Sequence, residues 1–216
     1  MKTQVDYQHY QFDNYLDIER WNSYYQQIKE CVKHGKLNEV MVIGVGDGIV
    51  PLILKHLNPK SHLTLVDYAE DLYPDICCDI LELSQHYVRG GVDVVLCCQV
   101  LEHLKYDNFT RALEEIRKVL KEDGVLILSL PDGGLTFKLD IKLPKVKTWH
   151  VKKICKYYKK DFRFTGEHYW EVNGSRKCLA KTVRNLIQSQ FVILDEYTCR
   201  FNSYHRFYIC KVYNNK

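Results

Sequence analysis

The chain alternates between short apolar runs and segments whose apolar residues recur every three or four positions. Glu39–Ile43, His62–Val66, Val92–Cys98 and Val125–Leu130 read as strands, with Ile76-Cys77-Cys78 as a shorter one. Between them lie helical patterns. Residues 17–34 place Ile18, Trp21, Tyr24, Tyr25 and Ile28 on one face, and Gly35 is a stop just past the end. Residues 49–57 form a second helix with Pro51 in its first turn, where no amide donor is missed. Residues 107–120 turn Phe109, Leu113, Ile116, Val119 and Leu120 inward, and Asp123-Gly124 ends that helix. Strands alternating with helices predict an α/β fold with a Rossmann-like, doubly wound, mostly parallel sheet. The nearly continuous apolar strands predict cover on both faces. A last helix over 179–190 and two strand-like runs, 191–194 and 206–212, predict an antiparallel C-terminal edge hairpin.

One segment breaks the alternation. From Lys138 to Lys160 there are nine lysines and one acid, Asp140. Val151, Ile154, Cys155 and Tyr158 follow helical spacing, which predicts a basic amphipathic helix serving as a lid. The expected organisation is one domain over 1–216: a helical cap (1–35), a ligand-binding core (36–132), a basic lid (133–178), and a C-terminal helix with edge strands (179–216). With 46% hydrophobic and 27% charged residues, nothing reads as disorder. No window approaches eighteen uninterrupted apolar residues, and the first residues lack signal-peptide character, so a cytoplasmic protein is expected. The nine cysteines contain no Cys-x-x-Cys pair, which predicts reduced, mostly buried thiols and no metal. A net charge of +4 is only mildly basic.

Candidate chemistry begins at Gly44-Val45-Gly46-Asp47-Gly48. It lies where the first long strand turns into a helix, the place where a side chain would clash with a bound ligand. A nicotinamide fingerprint would want its third glycine at position 49, where this chain has Ile49. Asp67, nineteen residues after Gly48, ends the second strand, where a carboxylate can accept both hydroxyls of a ribose. Asp79 ends the short third strand and reads equally as an adenine acceptor or as a turn cap.

The order of these pieces, with Val100-Leu101-Glu102-His103-Leu104 after the fourth strand and Ile116-Arg117-Lys118-Val119-Leu120-Lys121 before the fifth, resembles the class I S-adenosylmethionine-dependent methyltransferases in their type-11-like, small-molecule branch. The resemblance runs from about residue 36 to 132. The runs 166–171 and 204–207 are also similar to a bacterial subgroup of uncertain substrate. The resemblance implies S-adenosylmethionine as cofactor, with S-adenosylhomocysteine as product, held in the glycine loop of Gly44, Val45, Gly46 and Gly48. It further implies Asp67 on the ribose, Tyr68 beside the adenine, Asp79 and Ile80 flanking the adenine, and Cys98 and Gln99 at the sulfonium. Arg20, Trp21 and Tyr24 would close over the cofactor. Two departures stand out. The family usually carries an acid two residues before the first glycine, where this chain has Val42. The connection from Asp67 to Asp79 is also too short for a full crossover helix.

Methyl transfer is an in-line displacement in which positioning supplies roughly 7–11 kcal/mol. A base is needed only when the nucleophile is a hydroxyl or an ammonium. The candidates are His168, then His103, then His205. Each also has a plain structural reading, as a residue that satisfies backbone groups or packs at a strand edge. The expected partner is a small polar acceptor, methylated on oxygen, sugar-linked by analogy with subgroup relatives. The lysines suit a phosphorylated or nucleotide-linked acceptor, or an acidic membrane surface. No module for reading nucleic acid is present, and no oligomeric state follows. The competing readings are a methyltransferase-like binding module without catalysis and, disfavoured by the glycine spacing, a nicotinamide-dependent oxidoreductase.

Overall fold

The computed structural model describes residues 17–34, 36–87, 91–142, 144, 145, 148–155, 164 and 166–213. Its helices are α1 (Ile18–His34), α2 (Ile49–Leu57), α3 (Leu83–His86), α4 (Phe109–Val119) and α5 (Ala180–Gln188). Its strands are β1 (Glu39–Ile43), β2 (His62–Asp67), β3 (Ile76–Cys77), β4 (Val92–Cys98), β5 (Leu120–Pro131), β6 (Leu135–Ile141), β7 (Trp149–Cys155), β8 (Phe191–Thr198) and β9 (His205–Val212).

Seven strands form one sheet in the order β3-β2-β1-β4-β5-β9-β8. The strands β1 to β5 pair in parallel, and β9 joins β5 antiparallel and carries β8 on the edge. The expected doubly wound sheet with an antiparallel edge hairpin is therefore present. Its core follows from the two-residue period of a strand. Met41, Ile43, Val95, Cys97, Leu126 and Leu128 face one layer with Leu113 and Ile116 of α4 and Val183 and Ile187 of α5. The alternate residues Val40, Val42, Val94, Leu96 and Ile127 face the other layer, with Tyr24 and Cys31 of α1 and Val50 and Leu54 of α2. Among the described residues no helix is long and apolar enough to cross a membrane.

Three expectations are corrected. First, α1 buries a different face. Ser23, Tyr24, Gln27, Glu30 and Cys31 point inward, while Ile18, Trp21 and Tyr25 are exposed. The polar residues can turn inward because they find partners there: Ser23 meets His205 at 2.7 Å, and Glu30 accepts from Tyr197 at 3.0 Å. Second, the basic segment is not a helix where it is described. β6 and β7 form a separate two-stranded antiparallel hairpin, with Leu139 opposite Val151 and Ile141 opposite Trp149. The alternation Leu135-Thr136-Phe137-Lys138-Leu139-Asp140-Ile141 has the period of a strand, and Pro144 and a left-handed Lys145 (φ 63°) lie in the turn. Tyr158 and the lysines beyond position 155 lie outside the described residues, as does the cap before residue 17. Third, Asp123-Gly124 does not separate helix from strand. β5 starts at Leu120 and absorbs these residues in a bulge between the pairs Val92–Leu120 and Val94–Val125. The short 67–79 connection carries only a single 3₁₀ turn, Glu70–Leu72, as its length required.

Candidate active site

The strand order reverses between β1 and β4: the chain runs outward through β2 and β3, then returns to the other side of β1. In open α/β sheets this switch point, at the carboxyl ends of the strands, is where ligands bind. A cavity of about 530 Å³ opens there, a size suited to a small-molecule ligand.

The floor of the cavity is backbone. Gly44 and Gly46 have φ of 84° and 57°, a region that side chains rarely adopt. A Cβ on Gly44 would fall 2.5 Å from Cγ2 of Val100, whereas above Gly46 the space is open. Gly44 thus serves close packing against the loop after β4, and Gly46 leaves room over the loop. Asp67 joins the two sides of this floor. Its Oδ2 accepts from the Val45 amide at 2.7 Å and its Oδ1 from the Ala69 amide at 2.9 Å. Asp79 caps the turn after β3, accepting from the Leu81 amide at 2.9 Å, so the cap reading of that residue is realised; Asp79 also lines the cavity.

All the residues expected to hold the cofactor line this cavity except Gly48. Gly48 instead opens α2 with φ 74°, and its carbonyl accepts the Leu52 amide. Cys98 is a thiol pushed up to about 12 by burial, so it borders the cavity as a neutral group. Gln99 is held in the left-handed region at φ 58°, its amide donating to the Ser129 hydroxyl at 3.1 Å. A non-glycine residue in that conformation is strained, and such strain clusters at ligand sites. No sequence signal marked it.

α1 closes one wall. Arg20, Ser23, Tyr24 and Gln27 line the cavity, and Trp21 does not. The Tyr24 phenol donates to Asp47 at 2.6 Å, which ties the helix to the glycine loop. Ser23 and Gln27 were not anticipated. The available signal was the polar stripe 20, 23, 24, 27 at helical spacing within an otherwise amphipathic helix.

The three histidines separate. His103 and His205 line the cavity, while His168 stands behind His103 with their rings 5.1 Å apart. His205 is buried and driven down to about 4, first by burial and then by the Arg20 charge. It is a neutral hydrogen-bonding partner of Ser23. Burial also lowers His103, against the opposing effect of the Glu167 carbonyl 2.8 Å from its Nδ1. For His168 burial pulls downward, but Glu171, bonded to its Nδ1 at 3.3 Å, and the nearby Glu102 carboxyl raise it on balance. Glu102 is the residue that sequence reasoning passed over. It is fully buried, neither carboxylate oxygen has a hydrogen-bond partner among the described residues, and burial pushes it up to about 8.

Residues 41–128 match the family model of a methyltransferase domain. That match spans less than half of the chain, and it makes this stretch similar to a methyltransferase domain. Comparison with known proteins adds one relative in sequence and several in fold. An uncharacterised protein of Methanocaldococcus jannaschii is 39% identical over 66 residues, a match spanning 31% of this chain and 27% of the relative. Among solved structures, the 1,6-didemethyltoxoflavin-N1-methyltransferase of Burkholderia thailandensis, with its substrate and S-adenosylhomocysteine bound, superimposes with a TM-score of 0.57 at 15% identity, covering 91% of this chain and 78% of that one. The N-methyltransferase NodS of Bradyrhizobium japonicum, bound to S-adenosylhomocysteine, gives 0.58 at 14% identity, covering 92% and 89%. At these identities the likeness is one of fold.

Proposed function

We propose that this protein transfers the methyl group of S-adenosylmethionine to a small polar acceptor, on oxygen. The carrying observation is the cavity at the switch point, where open glycine backbone, the Asp67 carboxylate and the polar face of α1 meet. The residues fit the cofactor. Gly46 leaves space for its methionine part, Asp67 keeps lone pairs for ribose hydroxyls, Tyr68 and Ile80 suit the faces of an adenine, and Arg20 offers charge to a carboxylate. When bound, the cofactor supplies an electrophilic methyl group. Gln99 and Cys98 border the reacting end, and His103 with Tyr169 forms the wall left for the acceptor. Burial keeps the His103 imidazole neutral, as the receiver of a hydroxyl proton must be. The solved relatives named above act on nitrogen, so the acceptor atom is the first point to test. A second reading, a binding module without transfer, rests on Val42. It is buried at the cavity wall where the family carries an acid. The polar side chains of α1 stand in for that anchor on the first reading.

Calorimetry with S-adenosylmethionine, S-adenosylhomocysteine and NAD tests this. Binding of both sulfur ligands and not NAD is expected. NAD binding without either sulfur ligand overturns the reading. Formation of S-adenosylhomocysteine with a panel of hydroxyl and amine acceptors separates transfer from mere binding and oxygen from nitrogen.

A further inference from the structure

We propose that Glu102, His103 and His168 form a binding site for a first-row divalent cation beside the cavity. One ligand atom from each lies within 4.8 Å of the other two. Three ligand atoms about 2.1 Å from a shared ion lie roughly 3.4 Å apart in a tetrahedral site, so closing on an ion draws the side chains together by up to roughly 1.4 Å. The orientation of the side chains argues for a ligand more strongly than their spacing. The Nδ1 of His103 lies against a carbonyl oxygen, that of Glu167, which can only accept, so Nδ1 carries the proton. The Nδ1 of His168 lies against the Glu171 carboxylate, to which the Tyr204 phenol also donates at 2.6 Å. The neutral form of each ring thereby carries its proton on Nδ1 and presents its Nε2 lone pair. A carbonyl or carboxylate behind the distal nitrogen is the arrangement that orients histidines on metals. The third member supplies the charge. Glu102 is wholly buried and neither oxygen is partnered among the described residues, a costly placement for a carboxyl unless something meets it there. Two imidazoles and one carboxylate suit a borderline ion such as zinc, iron(II), manganese or cobalt.

A role for the ion rests on the methyl-transfer reading, although its binding does not. His103 also lines the cavity, so an open coordination position there would face the acceptor. The ion would hold the acceptor oxygen and lower its pKa so that the hydroxyl proton passes to solvent, with His103 a ligand and no longer the proton receiver.

The test uses the full chain, stripped with chelator and titrated with zinc and with cobalt(II), without S-adenosylmethionine. We expect one equivalent bound, with the visible absorption of nitrogen- and oxygen-ligated cobalt. His168→Ala and Glu102→Gln should each weaken binding at least about 10-fold. Glu102→Gln keeps the shape of the site and removes a buried acid, so its fold should survive, as thermal melting will show. Cys77→Ser, at an exposed thiol, should change nothing. No binding by the wild-type chain, or unchanged affinity in a folded Glu102→Gln, overturns the proposal. Separate titration with S-adenosylhomocysteine tells the two readings apart: its binding without cation binding sinks only this site, and the converse sinks only the transferase reading.

Discussion

The two ends of the cavity are built by different means. At the end proposed for the cofactor, the glycine loop, Asp67 and Asp79 come from neighbouring strand ends within residues 44–79, and the contacts that shape it run through backbone amides. At the far end, Glu102 and His103 meet residues 166–172 and 204–206, up to about a hundred positions away. The first segment is joined by the Tyr169 amide to the Glu102 carbonyl at 2.9 Å and by a two-bond bridge, from the Val172 amide to the Pro131 carbonyl at 2.8 Å and from the Gly133 amide to the Val172 carbonyl at 2.9 Å; the second leads into β9, with the Asp132 amide donating to the Tyr204 carbonyl at 2.7 Å. Beneath them Asp132 accepts from the buried Arg206, which also reaches Glu196. The cofactor end is a property of the sheet and its turns. The far end is a property of particular side chains brought together from distant segments, and the sheet reaches it only through the start of β9.

If that division holds, substitutions at the cofactor end should abolish ligand binding. Gly44→Ala should have the largest effect. It forces a side chain into a left-handed backbone and against Val100. A loss of S-adenosylhomocysteine affinity of about 100-fold or more, near 3 kcal/mol, is expected by calorimetry. Affinity within threefold of wild type would mean that the loop does not approach the ligand. Asp67→Ala comes next. It removes the acceptor for two amides and for the ribose, hydrogen bonds to a charged group worth about 1.5–3 kcal/mol. A 10- to 100-fold weakening is expected, and retained affinity would remove Asp67 from the site.

The same division explains what was legible in the sequence. The strands were visible because each is a short apolar run, and the glycine loop because its chemistry is local. The resemblance rests on that stretch. The buried face of α1 was not visible, because Ser23 and Gln27 look like surface residues until His205, some 180 positions later, is known to sit against them. The hairpin of β6 and β7 was misread because four residues at helical spacing outweighed an upstream alternation of period two. Glu102 was quoted only as part of a motif. Nothing local distinguishes a solvated glutamate at the start of a turn from one buried without a partner.

His205 tests the seam between the two ends, where β9 meets α1. In the folded chain it stays neutral down to about pH 4, whereas the unfolded chain protonates it near its ordinary 6.5. Between those values the unfolded state binds more protons, so stability rises with pH across the window and is lost as pH falls from about 6.5 to 4. The contribution is on the order of 3 kcal/mol. Urea unfolding at pH 7 and pH 4.5, compared between wild type and His205→Asn, isolates it from the carboxylates. The variant should lose less stability over that interval. Equal losses would show that His205 titrates normally and is not held neutral against Ser23.

The smallest effect is the sharpest test of independence. Tyr204 donates to Glu171 and sits 3.2 Å from the His168 Nδ1, but it does not line the cavity. Tyr204→Phe removes one hydroxyl and keeps the ring, so stability should fall by about 1 kcal/mol, the net worth of one hydrogen bond. Affinity for S-adenosylhomocysteine should stay within about twofold, because no link of the Asp67 and glycine-loop contacts passes through this residue. The orientation of His168 should loosen, and any acceptor turnover should drop more than cofactor binding does. If Tyr204→Phe instead weakened the cofactor as much as Asp67→Ala, the two ends would form one cooperative unit. The segments 166–172 and 204–206 would then have to be read as part of the cofactor site.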